Sequence, residues 1–252
     1  MNSVAKSRKR VDELGRAFAG SQLQVQLYVN RRRPELNQAI SNAVKLERNV
    51  VIDWRSPIEP SFSEYMDAPF LRALELSHLQ QKLERFWPSS GPRWDGLAVL
   101  RPSAGSPEAS GYLLIEGKSY PGEIYGPGCT SPAGTPNRDL INEALETTAR
   151  ELSPLHSTAW TGRLYQYANR LAHVLFLQKS TGRPVWLVNL CFTEDRAKPH
   201  SQKEWETALK EIKRELGFEG KPIPSTVDVF LSTRDRSEML AKDGNGVTEG
   251  SE

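Results

Sequence analysis

Residues 112–120 read YLLIEGKSY, an apolar run that ends in Glu116 and Lys118, opposite charges one residue apart. Side chains alternate along a strand, so Glu116 and Lys118 share one face while Leu113, Ile115 and Gly117 take the other. Upstream, 94–100 (WDGLAVL) reads as a second strand. The link between them, RPSAGSPEAS, has the Pro, Gly and Ser of a loop. An antiparallel hairpin is the natural connection. It sets the start of the first strand beside the end of the second, and so Asp95 beside Glu116.

Two adjacent carboxylates repel unless a cation shares them. A hard divalent ion suits oxygen ligands, and Mg²⁺ takes one or two carboxylates together with waters and phosphate oxygens. Such an ion polarises a phosphoryl oxygen and acidifies a bound water. Lys118 is then placed to orient that water or to stabilise charge developing on the phosphate. The layout suits phosphodiester hydrolysis. Glu-x-Lys alone says little, because it occurs three times, at 116–118, 211–213 and 219–221. Only the first ends an apolar strand with an Asp-bearing strand before it. A cross-strand salt bridge, Lys118 with Asp95 or Glu116, is the competing reading of the same residues.

Further out, 68–87 has a helical period that puts Leu71, Leu76, Leu79, Leu83 and Phe86 on one broad face. Glu75 lies inside that face, where a lone carboxylate is expensive to bury. His78 on the same stretch reads as structural. Residues 119–138 are rich in Gly, Pro and Ser and lack periodicity. A loop of that length is usually functional, and this one is expected to wall a substrate channel. Glu123 within it reads as a loop charge. Helices are expected over 138–152 and 158–179. The second is apolar over most of its circumference, with a narrow polar strip of Arg163, Gln166, Asn169, Arg170 and His173. His173, Trp160, Tyr165 and Tyr167 read as packing residues. A buried strand VWLVNLCF, a charged amphipathic helix over 200–216 and a last strand VDVFLS follow. Upstream, 11–48 is mostly helical with a break near Arg33-Pro34, and NVVIDW is a strand candidate. This order is that of an α/β domain.

With 252 residues, 38% of them hydrophobic, and a net charge of +2, the chain is an ordinary globular one without a global basic coat. The basic clusters at Lys6, Arg8, Lys9, Arg10 and at Arg31, Arg32, Arg33 read as solvated surface, with a phosphate-facing patch as the alternative. Cys129 and Cys191 have no CxxC spacing, which suggests neither a zinc site nor a disulfide scaffold. No apolar stretch approaches a membrane span, and the basic N-terminus lacks the apolar core of a signal peptide. A cytoplasmic protein with no membrane association is expected.

These residues resemble the PD-(D/E)XK nuclease superfamily, the restriction-endonuclease-like fold, over roughly residues 68–195. WDG, IEGKS and YQYANRLAH together look like an uncharacterised bacterial branch of it. The resemblance implies a mixed central sheet flanked by helices. It implies that Asp95 and Glu116 hold Mg²⁺, with Mn²⁺ as a substitute and help from the backbone carbonyl between Glu116 and Lys118, and that Lys118 acts on the attacking water. It sets Glu75 at the place of a helix-borne acid and Gln166 at that of a later polar residue. Trp94 stands where the signature's proline would be. The expectation is a nuclease domain over 61–234, an N-terminal helical extension over 1–60 and a disordered tail over 235–252. The partner is nucleic acid, with DNA favoured, and a homodimer is compatible. An inactive nucleic-acid-binding or interaction module on the same fold is the alternative.

Overall fold

The computed structural model describes residues 10–103, 108–152, 160–219 and 221–241. At its centre are β1 (Val50–Ser56), β2 (Gly96–Pro102), β3 (Gly111–Lys118), β4 (Val185–Thr193) and β5 (Thr226–Ser232), hydrogen-bonded side by side in chain order. β1 with β2 and β2 with β3 are antiparallel, whereas β3 with β4 and β4 with β5 are parallel. A parallel pair needs a crossover connection. Between β3 and β4 it is supplied by α5 (Pro136–Leu152) and α6 (Tyr165–Thr181), and between β4 and β5 by α7 (Gln202–Glu215). The class is therefore α/β, with a mixed sheet flanked by helices, as the order of elements led one to expect.

Both faces of the sheet are covered. On one, α1 (Gly20–Arg31) and α2 (Arg33–Val44) lay Val25, Tyr28, Leu36 and Ile40 on Leu113, Ile115, Val188 and Leu190. On the other, Leu114 and Leu187 pack in one cluster with Leu171 of α6 and Trp205 of α7. Burial on both faces explains why β4 reads as an unbroken apolar run. Proline at the start of α2 separates it from α1, because a first-turn residue needs no intrahelical N–H. Residues 20–56, within the stretch expected as an N-terminal extension, thus supply two covering helices and one edge of the sheet.

The expected single helix over 68–87 is two helices and a turn. α3 (Asp67–Ala73) stops, a 3₁₀ turn covers Ser77–Leu79, and α4 (Gln80–Phe86) follows. The stop is a Schellman arrangement: Leu76 N–H donates to Leu71 O, and Glu75 N–H to Arg72 O. Glu75 occupies the left-handed position, at φ +64°. Leu71 and Leu76 are both buried in the core, the apolar contact that accompanies this motif.

Of the stretch expected as a disordered tail, Arg236–Leu240 form a short helix, α8, and 242–252 lie outside the described residues. So do Lys6, Arg8 and Lys9 of the first basic cluster. In the second, Arg31 pairs with Glu59 and Arg32 with Glu238. Among the described residues, no helix is long and apolar enough to cross a membrane.

Candidate functional site

The hairpin register decides the site. Gly96 faces Ile115, so Asp95, immediately before β2, stands beside Glu116. An Asp95 carboxylate oxygen accepts the Gly117 N–H at 2.8 Å, which ties the two strand ends together. Glycine is needed at 117 because α1 crosses the sheet there: a Cβ would lie 2.5 Å from Val25 Cγ2.

Glu116 is only 5% exposed, yet both of its oxygens are satisfied by cations. Lys118 Nζ lies 2.6 Å from Oε1, and Arg170 Nε 2.6 Å from Oε2. Arg170 comes from α6 and is held in several directions. Its guanidinium donates to Gln166 O, Asn169 Oδ1 and Arg93 O, and sits 5.7 Å from the centre of the Trp94 ring. The two carboxylates differ in consequence. Burial pushes Glu116 up, but Arg170 and Lys118 outweigh it and hold the group below its ordinary value. Asp95 is pushed up to about 8, first by burial and then by the Glu116 charge, with Lys118 opposing and Glu64 adding to the rise. Perturbed neighbouring acids of this kind are found at functional sites and in structural ion-pair networks alike.

Above these groups lies a cleft of about 470 Å³. Asp95, Glu116 and Lys118 line it together with Arg93, Tyr165, Gln166 and Arg170. Pro127, Gly128 and Thr130 also line it, so the long loop after Lys118 does form part of a wall. The loop is pinned to the segment before α6 by Gly126 N–H to Arg163 O and Cys129 N–H to Thr161 O. Glu123 accepts the Ser119 N–H at 2.8 Å and braces the turn, a loop role as read from the sequence. Behind Glu116 a polar row continues across the sheet, with Glu116 beside Asn189 and Asn189 beside Asp228. The Asn189 amide donates to Tyr167 Oη and to Asp228 Oδ1, and Asp228 pairs with Lys213 of α7 at 2.5 Å.

Of the residues singled out from the sequence, Asp95, Glu116, Lys118 and Gln166 therefore meet at one cleft. Glu75 does not join them. Its exposed carboxylate pairs with Arg55 and Arg101, beside Asp53. Arg101 is six residues along the chain from Asp95, about 20 Å in a strand. His173 is buried against Phe86, Trp87 and Trp94, as a packing residue should be, and burial pulls it down to about 4. Trp160 and Tyr167 are core, while Tyr165 is only partly buried and faces the cleft.

Two members of the site had escaped notice. Arg170 was visible as a charge on a mostly apolar helix, a signal of the same kind as a carboxylate on an apolar stripe. Glu64, in the aperiodic stretch before α3, had no such signal. Its carboxylate accepts from Gln22 at 2.9 Å. Burial raises it, against the Gln22 bond and Arg93, and Glu116 adds to the rise. It is thus a third acid within electrostatic reach of Asp95 and Glu116. Among the described residues, no group of three or more His, Cys, Asp or Glu side chains is close enough together to hold a metal ion. Comparison with protein-family models, with curated proteins and with solved structures finds no match to this chain.

Proposed function

We propose that this protein is a metal-dependent nuclease of PD-(D/E)XK type that hydrolyses phosphodiester bonds in nucleic acid. The observation that carries the reading is the meeting of Asp95, Glu116 and Lys118 at one end of the β2–β3 hairpin, on the floor of an open cleft. An antiparallel hairpin followed by a helical crossover to a parallel strand supports the same fold assignment. So does a polar strip on α6 turned towards the acids.

The donor set suits a hard divalent ion of the Mg²⁺ or Mn²⁺ kind. Two carboxylates are enough for Mg²⁺, which keeps waters for the rest of its shell. Asp95 is pushed up by burial first and by the Glu116 charge second, and the second of these is what such an ion would relieve. Asp95 and Glu116 would hold it, with the help that the resemblance implies from the backbone carbonyl between Glu116 and Lys118. Of the two cations on Glu116, Arg170 is the more firmly held, by three further acceptors, so the oxygen that faces Lys118 is the one Glu116 would offer to an ion. When bound, the ion supplies polarisation of a phosphoryl oxygen and activation of water. Lys118 would orient the attacking water or neutralise charge on the phosphate. Against burial, Arg170 is the larger of the two cationic influences that hold Glu116 below its ordinary value.

A second reading, an inactive nucleic-acid-binding module, is favoured by one observation: both Glu116 oxygens are already taken by Lys118 and Arg170. Digestion of linear and circular DNA, single strands and RNA with Mg²⁺, Mn²⁺ or EDTA separates the two. The expected outcome is cutting that EDTA abolishes and that Asp95→Ala and Lys118→Ala each reduce by about 100-fold or more, as for loss of a charge-stabilising group. Cutting unaffected by either substitution, or none on any substrate, removes the catalytic reading of the cleft.

A further inference from the structure

The shape of the cleft speaks to the form of its substrate. Glu116, the deeper of the two acids, is 5% exposed, and the Lys118 and Arg170 side chains beside it are 16% and 11% exposed. A phosphodiester must therefore enter the cleft to reach them. A duplex is stiff over a site of this size and brings its whole width with each phosphate, whereas a single strand can bend one phosphate into a recess. Two stretches of the wall are pinned, the 126–130 loop by backbone bonds to 161–163, and the backbone at 91–93. That backbone is itself fixed by Gly91 N–H to Asp67 and Trp94 N–H to Tyr65 O.

Two residues on these walls match what a single strand presents. Arg93 is exposed, lines the cleft, and makes no ion pair or side-chain hydrogen bond among the described residues. Arg170, by contrast, is fully engaged. Arg93 thus has no direct partner for its guanidinium among the described residues, although its charge acts on Glu64 nearby, and it is suited to a phosphate next to the one at the acids. Tyr165 offers an aromatic ring on the same cleft, stacked from behind by Trp87 at 6.4 Å between ring centres. Backbone-tracking cations with aromatic platforms are how single strands are held without regard to sequence.

We propose that the cleft receives one nucleic-acid strand and excludes the duplex, with Arg93 contacting a flanking phosphate and Tyr165 stacking on a base. This rests on the reading that the cleft takes nucleic acid. The test is fluorescence anisotropy in EDTA with a labelled 15-mer of thymidylate and with a blunt duplex of the same length, across a salt series. Metal-dependent digestion of the same two probes runs beside it. The expected result is that the single strand binds at least tenfold tighter than the duplex. Arg93→Gln should flatten the slope of log affinity against log salt by about 0.7, the share of one phosphate contact on a single strand. Tyr165→Leu should weaken single-strand binding about tenfold, as loss of one stacked base does. Both are cleft-wall positions, and unchanged melting of each variant confirms that it is folded. Equal or tighter duplex binding, or a salt slope untouched by Arg93→Gln, overturns the inference. Cutting of both probes alike overturns it and leaves the nuclease reading standing. Selective strand binding without cutting supports it and removes the nuclease reading, and absence of both binding and cutting removes both.

Discussion

Single residues divide sharply in this protein between those tuned for chemistry and those tuned for packing, and His173 is the clearest of the second kind. Its Nδ1 lies 2.7 Å from Asn169 O, and aromatic rings surround the rest of the imidazole. The charged groups that act on it are Arg170, which lowers it further, and Asp67, which opposes. The unfolded imidazole takes up its proton near 6.5, while the folded one refuses until about 4. Across that window the unfolded chain binds more protons, so stability rises with pH and is lost on acidification. The full effect is at most about 3 kcal/mol. Urea midpoints at pH 7, 5.5 and 4.5 should fall more steeply for the natural chain than for His173→Phe. Parallel curves would mean that the imidazole is protonated in the fold. By contrast, Asp95 and Glu116 owe their divergence to each other and to two cations, and neither could be assigned its state from sequence neighbours alone.

At the scale of elements, what was legible followed from periodicity. Alternation along 112–118 gave the facing of Glu116 and Lys118, and the loop composition gave the hairpin that brings Asp95 to them. The same reasoning failed at 68–87 for an identifiable reason. The core buries leucines on both sides of the Leu74–Leu76 turn, so Leu71, Leu76, Leu79 and Leu83 mimic one stripe although the helix stops between them. Glu75 then looked like an acid on a buried face, whereas it caps α3 in a left-handed conformation and reaches surface arginines. Glu64 was missed because a segment without period carries no facing information. A left-handed backbone costs a residue with a Cβ roughly 1–2 kcal/mol. Exposed ion pairs return about 0–1. Glu75→Gly should therefore leave urea stability within about 1 kcal/mol of the natural chain. It should also leave any cleavage rate unchanged, and a hundredfold drop in that rate would restore Glu75 to the site.

For the molecule as a whole, the two ends of the described chain meet. Gln24 exchanges two hydrogen bonds with the backbone of Arg234, Tyr28 Oη donates to Ser232 O at 2.7 Å, and Arg236 pairs with Asp12. α1 in turn presses Val25 onto Gly117, the residue between the Glu and the Lys of the site. A chain ended after Ile223 lacks β5 and α8 and hence these anchors. It should melt without cooperativity, and limited proteolysis should cut first within α1 and α2. Protected N-terminal helices in that variant would show that the central strands hold them unaided. The same closure has a consequence for how the protein is born. α1 leaves the ribosome before any strand it lies on, and its last partners emerge about 200 residues later, some 10–40 s at ordinary rates of translation. Through that interval α1 and α2 can settle on the first four strands as each emerges, but the bonds from Gln24 and Tyr28 wait for the end of β5 and the segment after it, so this face of the molecule is the last to be locked.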